Sequence, residues 1–151
     1  MTDMPVFMHF LYSFISTIGF AVFLKAPRST LIHSGFVGGT GWAMYYFLLS
    51  VTNNNIMSNF IAAILVSLTS ELFARKLKQP AIVFTIPGII LLVPGIGMYN
   101  TMLYLVQNDY TKAIAKGADV LFSGGALAMG VLIVTSLFKT LRMVSKEKVN
   151  T

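Results

Sequence analysis

Residues Phe84 to Thr101 read FTIPGIILLVPGIGMYNT. No charge interrupts the stretch, and most of it is apolar enough for hydrocarbon. Yet it carries two Pro-Gly pairs, Pro87-Gly88 and Pro94-Gly95, seven residues apart. Proline removes a backbone donor and clashes with the preceding turn. In hydrocarbon the freed carbonyls need partners, so a broken helix survives only inside protein or beside a water-filled cavity. In an unbroken helix the two prolines, two turns apart, would share one face. One proline alone reads as a kink that shapes packing. Two Pro-Gly pairs, followed by Tyr99, Asn100 and Thr101, read instead as a site or gate.

The rest of the chain places this stretch in a membrane. Of 151 residues, 56% are hydrophobic and only 11% charged. Soluble domains are about a quarter charged. A helix needs about 20 apolar residues to cross a bilayer. Five segments qualify: Pro5 to Leu24, Leu31 to Val51, Ile56 to Ala74, Ala81 to Val106 and Gly117 to Phe138. The fourth contains both Pro-Gly pairs. No long soluble loop separates them, so residues 1–151 read as a single transmembrane domain. The N-terminus lacks a basic leader and its apolar run is too long for a cleaved signal. Cysteine is absent, which rules out a disulfide framework and thiolate chemistry.

The net charge is +6, but nucleic acid is not the expected partner. Phosphate-binding residues form a patch on a folded surface, whereas here they punctuate the apolar runs. Lysine and arginine set membrane orientation instead. Lys25, Arg28, Arg75, Lys76, Lys78, Lys139, Arg142, Lys146 and Lys148 fall in three alternate connections. Facing these inward gives five spans with the N-terminus outside and the C-terminus cytoplasmic. The uncharged Asn53-Asn54-Asn55 and the loop near Asp109 then lie outside, where Lys112 and Lys116 stand beside Asp109 and Asp119.

Pro80, Phe84 and the run LVPGIGMY at Leu92 to Tyr99 resemble the signature of the threonine/serine exporter family, and more closely its small split subunit, the YjjB-like half. GFAVFLKAPRSTLIHSGFVGGTGW at Gly19 to Trp42 resembles that half's first helix, loop and glycine-rich second helix. SELFARKLKQPA at Ser70 to Ala81 resembles its basic loop. The likeness covers roughly residues 8 to 138. Members often carry proline three residues before the Pro-Gly pair; this chain has Leu91 there, and its extra proline is Pro87. The resemblance implies a two-part secondary exporter in the bacterial inner membrane, driven by the proton motive force. Its other half would be a larger membrane subunit. Threonine and serine are the implied substrates; succinate-like dicarboxylates are the alternative. A non-transporting scaffold subunit is the reading from another class. No cofactor is implied, and some oligomer is expected.

Ionisable residues inside a membrane are functional suspects by default. Glu71 stands four residues before Arg75, the order and spacing of a helical ion pair. Asp119 stands three residues after Lys116, and the small apolar run behind it suggests partial burial. A buried carboxylate has a raised pKa and could carry a proton. Asp119 and Glu71 are therefore the candidates for proton coupling. Pro87, Gly88, Pro94, Gly95, Tyr99, Asn100 and Thr101 are the candidates for the substrate path, because broken-helix ends present backbone groups to a substrate near the midplane. His9 and His33 form no ligand cluster. Gly35 and Gly39, Gly124 and Ala128, and Ala126 and Gly130 are small pairs that let helices approach closely. Trp42, Tyr45 and Tyr46 either line a cavity or fill one. No nucleophile elbow, phosphate loop or zinc motif appears, so an enzyme is not expected. The expected fold is an all-α integral membrane protein with about five helices, the fourth broken at the Pro-Gly pairs.

Overall fold

The structure, a computed structural model, describes the backbone of residues 5–147 and side chains through Leu141. Lys148 of the basic tail lies outside the described residues. Every described element is helical: α1 (Val6–Phe23), a 3-10 turn (Arg28–Thr30), α2 (Leu31–Thr52), α3 (Asn55–Leu77), α4 (Ile82–Ile90), α5 (Gly95–Val106) and α6 (Tyr110–Glu147).

The packing is that of a protein built for lipid. Its fully buried side chains are mostly small or hydroxylated: Thr17, Ser34, Ser58, Ser67, Ser70 and Ser123 lie inside with Ala62, Ala63, Val37 and Val66. Its large apolar residues lie outside, with Phe23 82%, Ile96 81% and Val106 81% exposed. In water such a surface would be a severe aggregation liability. In hydrocarbon it is the required solvent face, and small residues let helix backbones meet.

Three helices, α1, α3 and Tyr110–Leu141 of α6, are each long and apolar enough to span. The pair α4 and α5 makes a fourth, bent by 51°. The remaining expected span is α2. At 22 residues it is long enough, about 33 Å at 1.5 Å per residue, but glycine, threonine, tryptophan and tyrosine dilute its apolarity.

Those glycines decide the packing of α2. A Cβ on Gly35 would lie 2.9 Å from Ile18 and Phe14, and one on Gly39 2.8 Å from Phe10, all on α1. One on Gly38 would overlap Thr17, and one on Gly41 would overlap Val66 of α3. So α2 sits between α1 and α3. Helix α4 crosses them, its Gly88 wedged against Val37 and Val66. Helix α6 packs on α3 through Gly130, whose Cβ position is 2.9 Å from the Phe60 carbonyl oxygen. The Gly124 position meets nothing within 4 Å.

The first Pro-Gly pair does not break the chain. Pro87 lies buried inside α4, which runs on to Ile90. The break covers Leu91–Pro94, at the second pair only. A turn of 51° leaves α5 travelling onward rather than back, so α4 and α5 form one broken passage. Helix α5 then runs antiparallel to α6, with Gly97 against Val120 and Thr101 against Gly117.

Helix ends use left-handed lysine and asparagine instead of glycine: Lys25, Asn53, Lys78 and Asn108 all have φ between 50° and 59°. The Ala26, Gln79 and Asp109 N–H groups close these turns onto Ala21, Ala74 and Tyr104 carbonyls, the six-to-one bond of a Schellman end. The basic connections share one end of the bundle. His33 meets the Phe73 ring at 5.0 Å, and the Arg75 guanidinium lies 4.6 Å over Phe138 of α6. This stacking replaces the expected pair with Glu71. Among the described residues the ion pairs are Lys112–Asp109 and Lys116–Asp119. Local spacing favoured Glu71, but the aromatic ring of a distant helix supplies a competing partner.

Asp109 begins α6. Its Oδ1 accepts from the Lys112 backbone N–H at 3.2 Å and its Oδ2 pairs with Lys112 Nζ at 2.7 Å. The Lys112 side-chain hydrogen bond first, then its backbone N–H, holds this carboxyl below the usual carboxylate range. A depressed folded pKa stabilises the cap above the unfolded value, and that support is lost as pH falls through the folded one. Asp109→Ala should therefore speed amide exchange at Lys112 at neutral pH. The wild-type protection factor should fall toward the variant's only below the usual carboxylate range. Equal protection in both proteins at neutral pH would rule the cap out.

Candidate functional site

The helix break opens one wall of a cleft of about 810 Å³. Leu91, Leu92, Val93, Pro94, Gly95, Ile96, Gly97 and Asn100 form that wall. Trp42, Tyr45 and the Asn53–Asn55 turn form the second, from the end of α2 and the start of α3. Lys116, Asp119, Val120 and Ser123 of α6 form the third. The cleft lies at the end of the bundle away from the basic connections.

Each wall follows from local sequence. Val93 precedes a proline and is steered away from helical backbone. Pro94 has ψ of 60°, outside the helical range, and the Gly95 N–H bonds back to the Val93 carbonyl at 2.7 Å. The first N–H groups of α5, at Ile96 and Gly97, have no helical carbonyl one turn earlier, and the carbonyls of Leu91 and Leu92 have no N–H one turn later, whereas those of Ile89 and Ile90 take the Leu92 and Val93 N–H groups at 2.8 and 3.4 Å. Both sets border the cleft. No side chain crowds Gly95, whose Cβ position meets nothing within 4 Å.

On the opposite wall Asn53 turns the chain in the left-handed region. Asn54 caps α3, its Oδ1 accepting from Met57 N–H at 3.1 Å. Asn55 and Asn59 are one turn apart on α3 and face the cleft together. Asn55 ties three helices: its Oδ1 accepts from Tyr45 Oη at 2.8 Å and from Asn59 Nδ2 at 3.2 Å, and its Nδ2 donates to Ser123 Oγ at 3.2 Å. Trp42 packs on Tyr45 with ring centroids 5.2 Å apart.

The residues singled out in the sequence divide. Pro94, Gly95, Asn100 and Asp119 border the cleft. Pro87 and Gly88 lie in the packed crossing of α4 with α2 and α3. Tyr99 is exposed on another face of α5, and Thr101 bonds to the Gly97 carbonyl of its own helix at 2.8 Å. Asp119 is not buried as its neighbours suggested: its side chain is 66% exposed, 3.8 Å from Lys116. The cleft keeps the small apolar face of α6 from closing over it. Glu71 is half-buried on α3, near the basic end. Of the aromatic trio, Trp42 and Tyr45 line the cleft, and Tyr46 stacks on His9 at 3.7 Å.

Asn55, Asn59 and Ser123 went unremarked as site residues. The signal was present: two asparagines at i and i+4 share a helix face, and Asn59 stands inside an apolar run that has no other use for an amide. Ser123 gave none, since serines are scattered through these helices.

The sequence pattern of the family described as "Threonine/Serine exporter, ThrE" matches residues 9–137. A threonine/serine exporter of Corynebacterium glutamicum is 32% identical over 129 residues, which are 85% of this chain and 26% of the relative. An uncharacterised protein of Haemophilus influenzae is 26% identical over 137 residues, 85% of this chain and 46% of the relative. The chain thus spans about a quarter of one relative and under half of the other. No solved structure matches it. The family match over most of the chain and the 32% identity over 129 residues agree: this chain belongs to the threonine/serine exporter family.

Proposed function

We propose that the chain is one half of a two-component secondary exporter in the bacterial inner membrane, with the cleft as its path for threonine or serine. The observation that carries this is the polar cleft at the helix break. It combines free backbone groups of both signs with neutral amide and hydroxyl side chains. A hydroxy amino acid is a zwitterion with a small polar side chain. The Ile96 and Gly97 N–H groups at the positive end of α5 would receive its carboxylate. Among the described residues the carboxylate in the cleft wall is Asp119, and it would receive the ammonium group.

The same carboxylate gives a simple coupling. Asp119 can hold an ammonium group or a proton, not both, so arrival of a proton from outside would release the substrate. Glu71 is the other carboxylate within a described span, near the opposite end, where it would pass the proton inward. The basic end would face the cytoplasm, by the charge rule for short connections. The relatives extend well beyond the matched stretch; a larger membrane subunit would supply to this chain what lies there. A dicarboxylate is less well served, because among the described residues Lys116 is the one cation in the cleft wall and Asp119 faces it.

The test is efflux of labelled threonine and serine from proteoliposomes. It compares this chain alone with the chain plus its larger partner, with and without a proton gradient. Gradient-dependent efflux is expected only with both chains, and Asp119→Asn should remove its dependence on the gradient. No efflux from two folded chains would remove the assignment and bring forward succinate-like acids, then a scaffold role.

A further inference from the structure

The structure assigns the floor of the cleft a subsite for a hydroxyl group, formed by Asn59 and Ser123. This rests on the export reading and specifies which part of the substrate is recognised.

The argument is a hydrogen-bond inventory. The Asn55 oxygen takes the Tyr45 hydroxyl and the Asn59 amide, and its nitrogen faces Ser123. Asn59 therefore spends a donor on Asn55, and its Oδ1 is left buried without a partner among the described residues. The residue is only 2% exposed. A buried acceptor without a donor is destabilising. Ser123, fully buried, receives a hydrogen from Asn55 and so keeps its own hydroxyl proton to give. Thr17, Thr69, Thr85 and Thr101 give their protons to carbonyls one turn back. Ser123 makes no such bond among the described residues.

The network thus ends in one vacant acceptor and one vacant donor, both on residues of the cleft wall and both anchored to the same Asn55 amide. A hydroxyl satisfies such a pair from a single atom, donating to Asn59 Oδ1 and accepting from Ser123 Oγ. A methyl group of equal size satisfies neither, and it leaves both polar groups dry. Sites that hydrogen-bond a substrate hydroxyl reject the analogue lacking it for this reason. The subsite selects hydroxy amino acids over aliphatic ones.

Threonine and valine differ by a hydroxyl against a methyl, so they are the probe. With both subunits in proteoliposomes, labelled threonine uptake into the exchange cycle is competed with unlabelled threonine or valine. Wild type should prefer threonine by at least about tenfold. Ser123→Ala, the milder change, and Asn59→Leu should each bring that preference to within about threefold, chiefly by weakening threonine. Either variant keeping the wild-type threonine-to-valine ratio, even at reduced rate, would overturn the subsite and leave its residue a structural part. If wild type moves no threonine, the export reading falls and takes the subsite with it. Wild-type export with unchanged ratios in the variants sinks the subsite alone.

Discussion

Replacing Gly38 with leucine should abolish the folded protein. A Cβ at that position coincides with the Thr17 side chain on α1. Thr17 cannot swing aside: it is β-branched, with few χ1 choices in a helix, and its Oγ1 donates to the Ser13 carbonyl at 2.7 Å. Either that bond breaks inside the bundle or α1 moves away from α2. Helices in lipid have no hydrophobic force between them and depend on close packing. Opening this contact therefore removes what holds α1. Overpacking usually destabilises by about 1–3 kcal/mol and occasionally by more; a collision with a locked side chain belongs at the upper end or above it.

The comparison variant is Gly124→Leu, because that position is open to 4 Å on every side. In detergent, the Gly38 variant should elute as aggregate or melt well below wild type, and the Gly124 variant should melt near it. A second pair makes the cause specific: Thr17→Gly should rescue Gly38→Ala, a positive coupling between residues in contact. Equal melting of the two leucine variants would show that the glycine is not the crossing point of α1 and α2.

How much of this was readable beforehand varies with the range of the interaction. Spans follow from local apolarity, and the all-helical membrane fold was legible for that reason. Gly35 and Gly39 read as a packing face and are one. The equally spaced Gly124 and Ala128 pair reads identically, yet a Cβ on Gly124 would meet nothing within 4 Å. Spacing says that a face is smooth, not what lies against it. The Pro-Gly pairs teach the same point. Locally they are alike, each with an aliphatic residue before it. Gly88 is clamped between Val37 and Val66, and this contact holds α4 helical through Pro87. Gly95 has no such clamp, and there the helix breaks. The choice between the two breaks is made by other helices.

The candidate site was half legible for the same reason. Its backbone wall came from the proline that breaks the helix, a local property. Its side-chain wall is assembled from α2, α3 and α6 through one asparagine, which joins Ser123 across 68 positions of sequence. No window along the chain contains that relation. The surroundings expected of Glu71 and Asp119 differ from those found, in opposite ways. The first was expected to pair and instead loses Arg75 to Phe138. The second was expected to be partly buried and instead lies open, because the cleft removes the wall that would cover it.

Closing the break should stop export without unfolding the protein. Pro94→Ala supplies a backbone donor one turn after the Ile90 carbonyl, which otherwise takes only a long bond of 3.4 Å from the Val93 N–H, and it frees Val93 from the restriction imposed by a following proline. Proline in a helix interior is destabilising by about 3 kcal/mol relative to alanine, so the substitution favours one helix from Ile82 to Val106. Straightening removes the 51° turn and joins the free carbonyls before the break to the free N–H groups after it. The cleft then loses both its shape and its backbone ligands. The contacts of Gly88 with Val37 and Val66 lie a full turn and more away, so α4 keeps its place and melting should hold or rise. Efflux should fall by at least about tenfold, the scale on which misplaced binding groups act. Gly95→Leu reaches the same end by another route. It keeps the break and enters open space, so it need not disturb packing, but its side chain occupies the cleft. Both variants should fold and neither should transport. If both sustain wild-type flux, the break serves only to aim α5 at α6, and the substrate must pass elsewhere.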